Sequence, residues 1–396
     1  METKKISDVA NVFNGKTPSK KEQRENGHPV LKIKDIDEFG QFRGFESFVD
    51  DDFVKRHKKK ALYLGDTLVL NAAHNSKYVG SKNTYVSDKK LQGVIATGEW
   101  TIIRPKEFID SRYLNYYITS GQVRHLIGTV VKGIHLYPKD VLRLHIPLPP
   151  LDQQKKIAAI LDEADKLRQL DKQLIEKYDA LAQSLFLDMF GDPVTNPKGW
   201  ESINLGSVCG VGSSKRVFVD ELVEDGIPFY RGTEVGKLGE GKSIVPTLFI
   251  TRDHYARLKA ERGIPKQGDL LMPSICPDGR IWVVDNDKEF YFKDGRVLWV
   301  EVDSKKMNSI YLRYHLKGSF FANYNNIASG TTFAELKIVA LKKMTVFYPD
   351  MKLQNQFAER VQAIEGQKAL AQESLKKSEA LFNSLLQKAF KGELVK

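Results

Sequence analysis

The chain has 396 residues, 41% hydrophobic and 28% charged, with 61 Lys and Arg against 50 Asp and Glu for a formal net charge of +11. That length exceeds what one hydrophobic core organises, the apolar content excludes a mostly disordered chain, and the positive excess favours an anionic partner. Two cysteines, Cys209 and Cys276, exclude a disulfide framework or a four-cysteine zinc site, and with no apolar run near the ~18 residues of a membrane span and no apolar signal core after Met1, a cytoplasmic protein without membrane contact is expected.

Residues 1–148 alternate short β-rich runs, 67–70 and 94–103, with loops of Gly, Asn, Ser and Lys, an α+β pattern. From Leu151 to Phe190 neither Pro nor Gly occurs. Apolar residues at Ile157, Ile160, Leu161, Ala164, Leu167, Leu174, Ile175, Tyr178, Leu181 and Leu185 step by three and four along one helical face. Pro149-Pro150 stops the preceding strand, Asp152 is the expected N-cap, and Gly191-Asp192-Pro193 ends the helix. Residues 193–348 return to β-rich runs at 281–284 and 297–302. Residues 353–390 repeat the helical spacing through Phe357, Val361, Ile364, Leu375, Leu381 and Leu385, with Gly366 as a weak point. At ~1.5 Å per residue each helix spans on the order of 55 Å, too long to bury its stripe on one small domain. The two are therefore expected to pack on each other, antiparallel.

The chain also repeats itself. Residues 149–190 overlay 349–390 at an offset of 200 without a gap, with identities that include Pro149/Pro349, Gln154/Gln354, Ala158/Ala358, Leu181/Leu381, Leu185/Leu385 and Phe190/Phe390. Weaker echoes pair Gly65-Asp66-Thr67-Leu68 with Gly268-Asp269-Leu270-Leu271, and Tyr113-Leu114-Asn115-Tyr116 with Tyr311-Leu312-Arg313-Tyr314. A tandem duplication follows: a globular domain over 1–148, a helix over 149–192, a second globular domain over 193–348 and a second helix over 349–396. Their net charges are +8, −3, +4 and +2, so basicity concentrates in the globular parts, as expected if these face phosphates.

Several loops combine cations with small polar residues. Residues 15–21 contribute Lys16, Thr17, Ser19, Lys20 and Lys21; residues 71–77 contribute Asn71, His74, Asn75 and Lys77, with Lys82 beyond; residues 212–216 contribute Ser214, Lys215 and Arg216. Lysines and backbone N–H groups suit phosphate, whereas Asn71, His74, Asn75, Arg231 and Arg280 suit base edges in the major groove. Any one of these loops also reads as plain solvated surface. Enzyme signatures fail: Pro149-Pro150 is flanked by Leu148 and Leu151, unlike the Asn/Asp-Pro-Pro-aromatic motif of an adenine methyltransferase, and no Walker loop, His-Glu-x-x-His or Gly-x-Ser-x-Gly occurs. Asp278, Asp303 and Lys305 form the one nuclease-like set that could hold Mg2+, a coincidence expected in so charged a chain. A further alternative is a coiled-coil interaction protein whose basic domains bind acidic proteins.

At Leu148-Pro149-Pro150-Leu151-Asp152-Gln153-Gln154, then the long helix and Met189-Phe190-Gly191-Asp192-Pro193, the sequence resembles the specificity subunit of type I restriction-modification systems. The closing Ala389-Phe390-Lys391-Gly392-Glu393-Leu394 resembles that family's C-terminal end, and the duplicated layout extends the resemblance over the full length. The resemblance implies a non-catalytic, sequence-specific DNA-binding subunit with two target-recognition domains. They would be separated by two long, antiparallel, coiled-coil-like helices in an internal pseudo-two-fold repeat. Each domain would read one half of an interrupted site in double-stranded DNA, and the helices would set the gap. Two methyltransferase subunits would dock on the helices with S-adenosylmethionine, and restriction subunits would bring ATP and Mg2+, leaving this chain without a cofactor. The partner-facing residues would be Leu151, Ile157, Leu161, Leu181 and Leu185 on the first helix, and Phe357, Val361, Leu381 and Leu385 on the second. Two positions depart from the pattern. Gln153 stands where the family often has Glu, and Tyr348-Pro349-Asp350-Met351 lacks the double proline, so the two docking surfaces need not be equivalent.

Overall fold

The computed structural model describes residues 2–37, 40–72, 78–131, 133–328 and 334–395, apart from the side chains of Asn325 and Ile327. Two compact units emerge, Met1–Asp171 with Glu373–Lys396, and Lys172–Gln372. Division by compactness thus cuts across the division by element type: each unit combines one α+β domain with a half of each long helix.

In the first unit an antiparallel sheet runs in the order Ala10–Asn14, Trp100–Pro105, Thr67–Leu70, Asn83–Tyr85. A second sheet carries Gln23–Arg24, Phe48–Val49, His28–Leu31 and Ile95–Ala96, its last pair parallel. Thr3–Lys5 pairs with His145–Pro147. The second unit repeats this topology with one strand fewer: Cys209–Gly212, Val297–Val302, Leu270–Pro273, Trp282–Val283 in one sheet; the three strands Phe249–Ile250, Ile227–Tyr230, Tyr291–Phe292 in the other, again with a parallel last pair; and Ser202–Asn204 against Thr345–Phe347. The duplication seen in the helices therefore runs through the globular parts. The β-rich run expected over 94–103 is two strands instead of one, because the chain turns at Thr97, whose carbonyl accepts the Trp100 N–H (3.1 Å), and so serves both sheets.

Two short sequence echoes have structural causes. In Gly65-Asp66 and Gly268-Asp269 each glycine takes φ +94°, which a side chain resists, and each aspartate accepts the backbone N–H three residues earlier, from Tyr63 and from Lys266 (both 2.9 Å). The remaining carboxylate capacity goes to different partners. Buried Asp66 takes a two-pronged bond from Arg104 (2.9 and 2.7 Å), whereas Asp269 accepts from the Trp299 indole (2.9 Å) and from Val302 N–H (3.0 Å). The Tyr-Leu echo opens the helices Ser111–Thr119 and Ser309–Ile327, capped by Asp110 and Asn308. Its first tyrosine reaches back in each case, Tyr113 to the Pro147 carbonyl (2.8 Å) and Tyr311 to that of Phe347 (3.1 Å).

These caps join the long helices through the repeated glutamine. Gln154 Nε2 donates to the Pro149 carbonyl (2.8 Å) and its Oε1 accepts from Asp110 N–H (2.9 Å); Gln354 does the same with Pro349 (2.8 Å) and Asn308 (2.8 Å). Both glutamines are buried, so each latch holds a helix start to its domain where water does not compete.

The first long helix runs Leu151–Phe190 as expected, and the second Met351–Lys391, passing Gly366 without a break. Asp152 lies inside the first turn and is not the N-cap; the Pro150 carbonyl opens the helix by accepting Gln154 N–H (3.0 Å). The helices run antiparallel within each unit. In the first, Arg168 lies 3.9 Å from the Phe382 ring centre and Ser378 donates to Asp171 (2.7 Å). In the second, Lys368 pairs with Asp179 (2.5 Å), and Phe186 and Phe190 meet Phe357 edge-on at 5.6 and 5.4 Å. Ile157, Leu161, Phe382 and Ala389 complete the first core, and Phe186, Phe190, Phe357 and Val361 the second.

Two outcomes test this construction. Gln154→Leu or Gln354→Leu leaves a half-buried N–H and a buried carbonyl without that partner, and urea unfolding should register a loss of about 1–3 kcal/mol for each. His315 is fully buried, its Nε2 accepting Phe347 N–H (3.1 Å), and burial pushes its imidazole down to about 3. An unfolded histidine takes its proton near ~6.5, so the folding free energy is complete above that pH and is lost as pH falls from there towards 3. Acid titration by circular dichroism should show that slope, and His315→Gln, which keeps the acceptor, should flatten it.

Candidate nucleic-acid interface

Ala10–Asn14 in the first unit and Cys209–Gly212 in the second, each the edge strand of its antiparallel sheet, lead into corresponding loops, residues 15–22 and 214–221. A cation from the following helical segment holds its base in both. Lys60 Nζ donates to the carbonyls of Asn14 (2.7 Å) and Gly15 (3.0 Å), and Arg262 Nε donates to that of Ser213 (3.1 Å). A glutamate closes the far end by accepting the N–H three residues before it: Ser19 to Glu22 (2.7 Å) and Phe218 to Glu221 (2.8 Å). That glutamate is tied in turn to an arginine of a helix further along the chain, Glu22 to Arg56 (2.5 Å) on Asp51–His57 and Glu221 to Arg257 (3.8 Å) on Arg252–Arg262. The Ser19 hydroxyl and amide, then Arg56, hold the Glu22 carboxyl down to about 2, so this closure persists at any working pH.

Between these ties Lys16, Thr17, Ser19, Lys20 and Lys21 are exposed in one unit, and Lys215 and Arg216 in the other. A loop pinned at both ends presents cations without a large ordering cost, which suits phosphate recognition. Arg216 lies 3.5 Å from Asp294, a contact weak enough at an exposed site to exchange for phosphate.

A cation cluster that residue-by-residue reading of the loops passed over joins Lys16. Residues 55–60, Lys-Arg-His-Lys-Lys-Lys, lie beside it: burial and then the charge of Lys16 lower both Lys60 and His57. Lys55, Arg56, Lys58 and Lys59 are exposed. The visible signal was five cations in six residues, a density that marks an anion-facing patch once the fold puts it on one side of a domain.

Other expected contacts are corrected by burial. Asn71 is 4% exposed and donates both amide hydrogens inward, to the Gly98 carbonyl (2.9 Å) and Thr101 Oγ1 (3.1 Å). Ser214 is buried with its hydroxyl on the Phe292 carbonyl (2.7 Å). Neither reaches a base without opening the sheet. Half-buried Lys82 donates to the Ile33 carbonyl (2.7 Å). Arg231 and Arg280 are already engaged, with Glu234 (2.8 Å) and with Asp278 (2.8 Å) respectively, so base reading by either needs a partner exchange. His74, Asn75 and Lys77 lie outside the described residues.

Of the helix positions expected to face a partner, Ile157, Leu161, Phe357 and Val361 are core residues, because the same stripe is consumed by the chain's own packing. Leu185 and Leu385 are partly buried against those cores, while Leu151, Leu181 and Leu381 are exposed. The nuclease alternative loses its carboxylates: Asp278 is held by Arg280, and Asp303 accepts Lys305 N–H (3.0 Å). Among the described residues no three His, Cys, Asp or Glu side chains gather as a metal site, and no helix is long and apolar enough to cross a membrane.

Two basic α+β domains with matching clamped loops, joined to long helices, define a duplicated nucleic-acid reader, and comparison with known proteins places it. The sequence matches the family described as the type I restriction modification DNA specificity domain over residues 1–178 and 197–379, and the chain belongs to that family. Its task is DNA target recognition, and it is a recognition subunit, not a catalyst. A type I restriction enzyme specificity subunit of Methanocaldococcus jannaschii, MjaIX, is 26% identical over 99% of this chain and 93% of its own, and the MjaVIII subunit of the same organism is 23% identical over 92% and 86%. A Haemophilus influenzae relative described as such a subunit is 26% identical over 260 residues, 64% of either chain. Among solved structures, a chain from work on complex assembly and conformational transition of the type I R-M system aligns over 99% of this chain and 98% of its own, with TM-score 0.54 and 18% identity. The S subunit of M. genitalium aligns over 98% and 96%, with TM-score 0.52 and 16% identity. Both show the same fold.

The two classes of residue separate in experiment. Lys16→Ala or Lys215→Ala should weaken binding to every duplex and lower the salt slope by about one unit. Asn71→Ala should instead lower thermal stability and leave sequence preference alone.

Proposed function

We propose that each α+β domain reads one half of an interrupted duplex site, with phosphate contacts from Lys16, Lys20 and Lys21 and the 55–60 run in the first domain, and from Lys215 and Arg216 in the second. The observation that carries this is the duplicated, doubly pinned loop with exposed cations in two basic domains. Specificity subunits of type I systems act with methyltransferase and restriction subunits and bind DNA. Here two methyltransferase subunits dock on the long helices, where Leu151, Leu181 and Leu381 leave apolar surface exposed. S-adenosylmethionine, ATP and Mg2+ belong to those partners, and helix length sets the gap between half-sites.

Mapping methylated adenines in a genome with and without this gene should reveal one two-part motif that depends on it. Replacing residues 202–347 by the matching domain of a relative should change one half of that motif and leave the other intact; a change in both halves would refute independent reading.

A further inference from the structure

The pinned turn is built alike in the two units, but its tip is not. The first unit presents Ser19, Lys20 and Lys21; the second presents Phe218, Val219 and Asp220 at the same places before the closing glutamate. Phe218 is 59% exposed and Val219 83%. Isolated exposed apolar residues are ordinary. Their backbone, however, is braced: Phe218 N–H is held by Glu221, Leu222 N–H returns to the Val219 carbonyl (3.2 Å), and Arg257 ties Glu221 to the helix Arg252–Arg262. Their neighbour Val217 anchors the turn by packing against the cluster of Ile227, Phe229 and Ile250. An apolar pair is thus held out on a braced turn immediately after two exposed cations, Lys215 and Arg216.

We infer that Phe218 and Val219 form an apolar wedge that enters the DNA groove at the half-site of the second domain, with the Phe218 ring pressed against a base step. Proteins that unstack a step use such side chains and need nearby cations to hold the phosphates around the opening. Lys215 and Arg216 supply them. The matching turn in the first unit argues for nucleic acid over a protein partner, since there the same scaffold displays Lys20 and Lys21, whose charges suit phosphate. The two domains would then grip DNA by different chemistry, the first mainly through phosphates and the second partly through base contact.

The inference rests on the half-site reading above, and the test separates the two. The full chain is assembled with its methyltransferase subunits and titrated onto a duplex carrying the mapped methylation motif, with 2-aminopurine placed at successive steps of the half assigned to the second domain. The wild type should raise the fluorescence at one step. Phe218→Ala should abolish that rise and weaken binding roughly tenfold with the salt slope unchanged, while Phe218→Trp should keep both. Lys20→Ala should lower the slope by about one. Binding by Phe218→Ala within twofold of wild type, with the fluorescence rise intact, overturns the wedge and leaves the half-site reading standing. Loss of a methyltransferase subunit from Phe218→Ala on gel filtration, with DNA affinity otherwise normal, overturns it in favour of a protein contact. Failure of the wild-type complex to prefer the motif over a scrambled duplex overturns both.

Discussion

A helix of forty residues with one apolar stripe cannot cover that stripe on a single small domain, and the rest of this structure follows from how the chain meets that demand. Each unit takes a half of each long helix, so the C-terminal Phe382, Leu386 and Ala389 return to complete the core that begins with Ile6 and Val9. The second unit is closed the same way, by Ala182, Phe186 and Phe190 from one helix and Phe357 and Val361 from the other. The first core is thus finished only by a helix segment from the far end of the chain, whereas the second unit, Lys172–Gln372, is continuous in sequence.

Duplication then provides two copies of one scaffold, and these differ most on the exposed loop. Interior devices are kept in form: the glutamine latch, the tyrosine that reaches back to the last strand, the aspartate that closes a Gly turn. Partners within them drift, as when Arg104 on Asp66 gives way to Trp299 on Asp269. Burial tolerates such exchange provided every polar atom still finds a partner. The exposed loop diverges far more, from Ser-Lys-Lys to Phe-Val-Asp on a similar brace, which fits the proposal that the two domains read different stretches of DNA.

The braced loops also bear on how a recognition chain attains specificity without catalysis. Cations on mobile loops bind any polyanion and spend much of their attraction on ordering themselves. Lys60 and Arg262 at the loop base, and Glu22 and Glu221 at its end, do that ordering in advance. What remains on the surface is a short, fixed set of side chains in each domain, suited to a defined register on the duplex.

The long helices, the tandem repeat and the basic character of the domains were legible in the sequence, because periodicity, proline and glycine placement and charge are local properties that need no partner to be read. Strands 67–70 and 297–302 were legible for the same reason, as runs dense in β-branched and apolar residues. The site was legible only in part: Lys16, Lys20, Lys21, Lys215 and Arg216 are exposed as their loops implied, but Asn71 and Ser214 turned inward. Whether a polar side chain faces water or a carbonyl across a sheet depends on residues 27 to 78 positions away, such as Gly98 and Phe292, which no local pattern reveals. For the same physical reason Ile157, Leu161, Phe357 and Val361 looked free for a partner. Sequence alone determined that their stripe must be covered; tertiary structure decided that the chain itself covers it, because only folding brings residue 382 to residue 168.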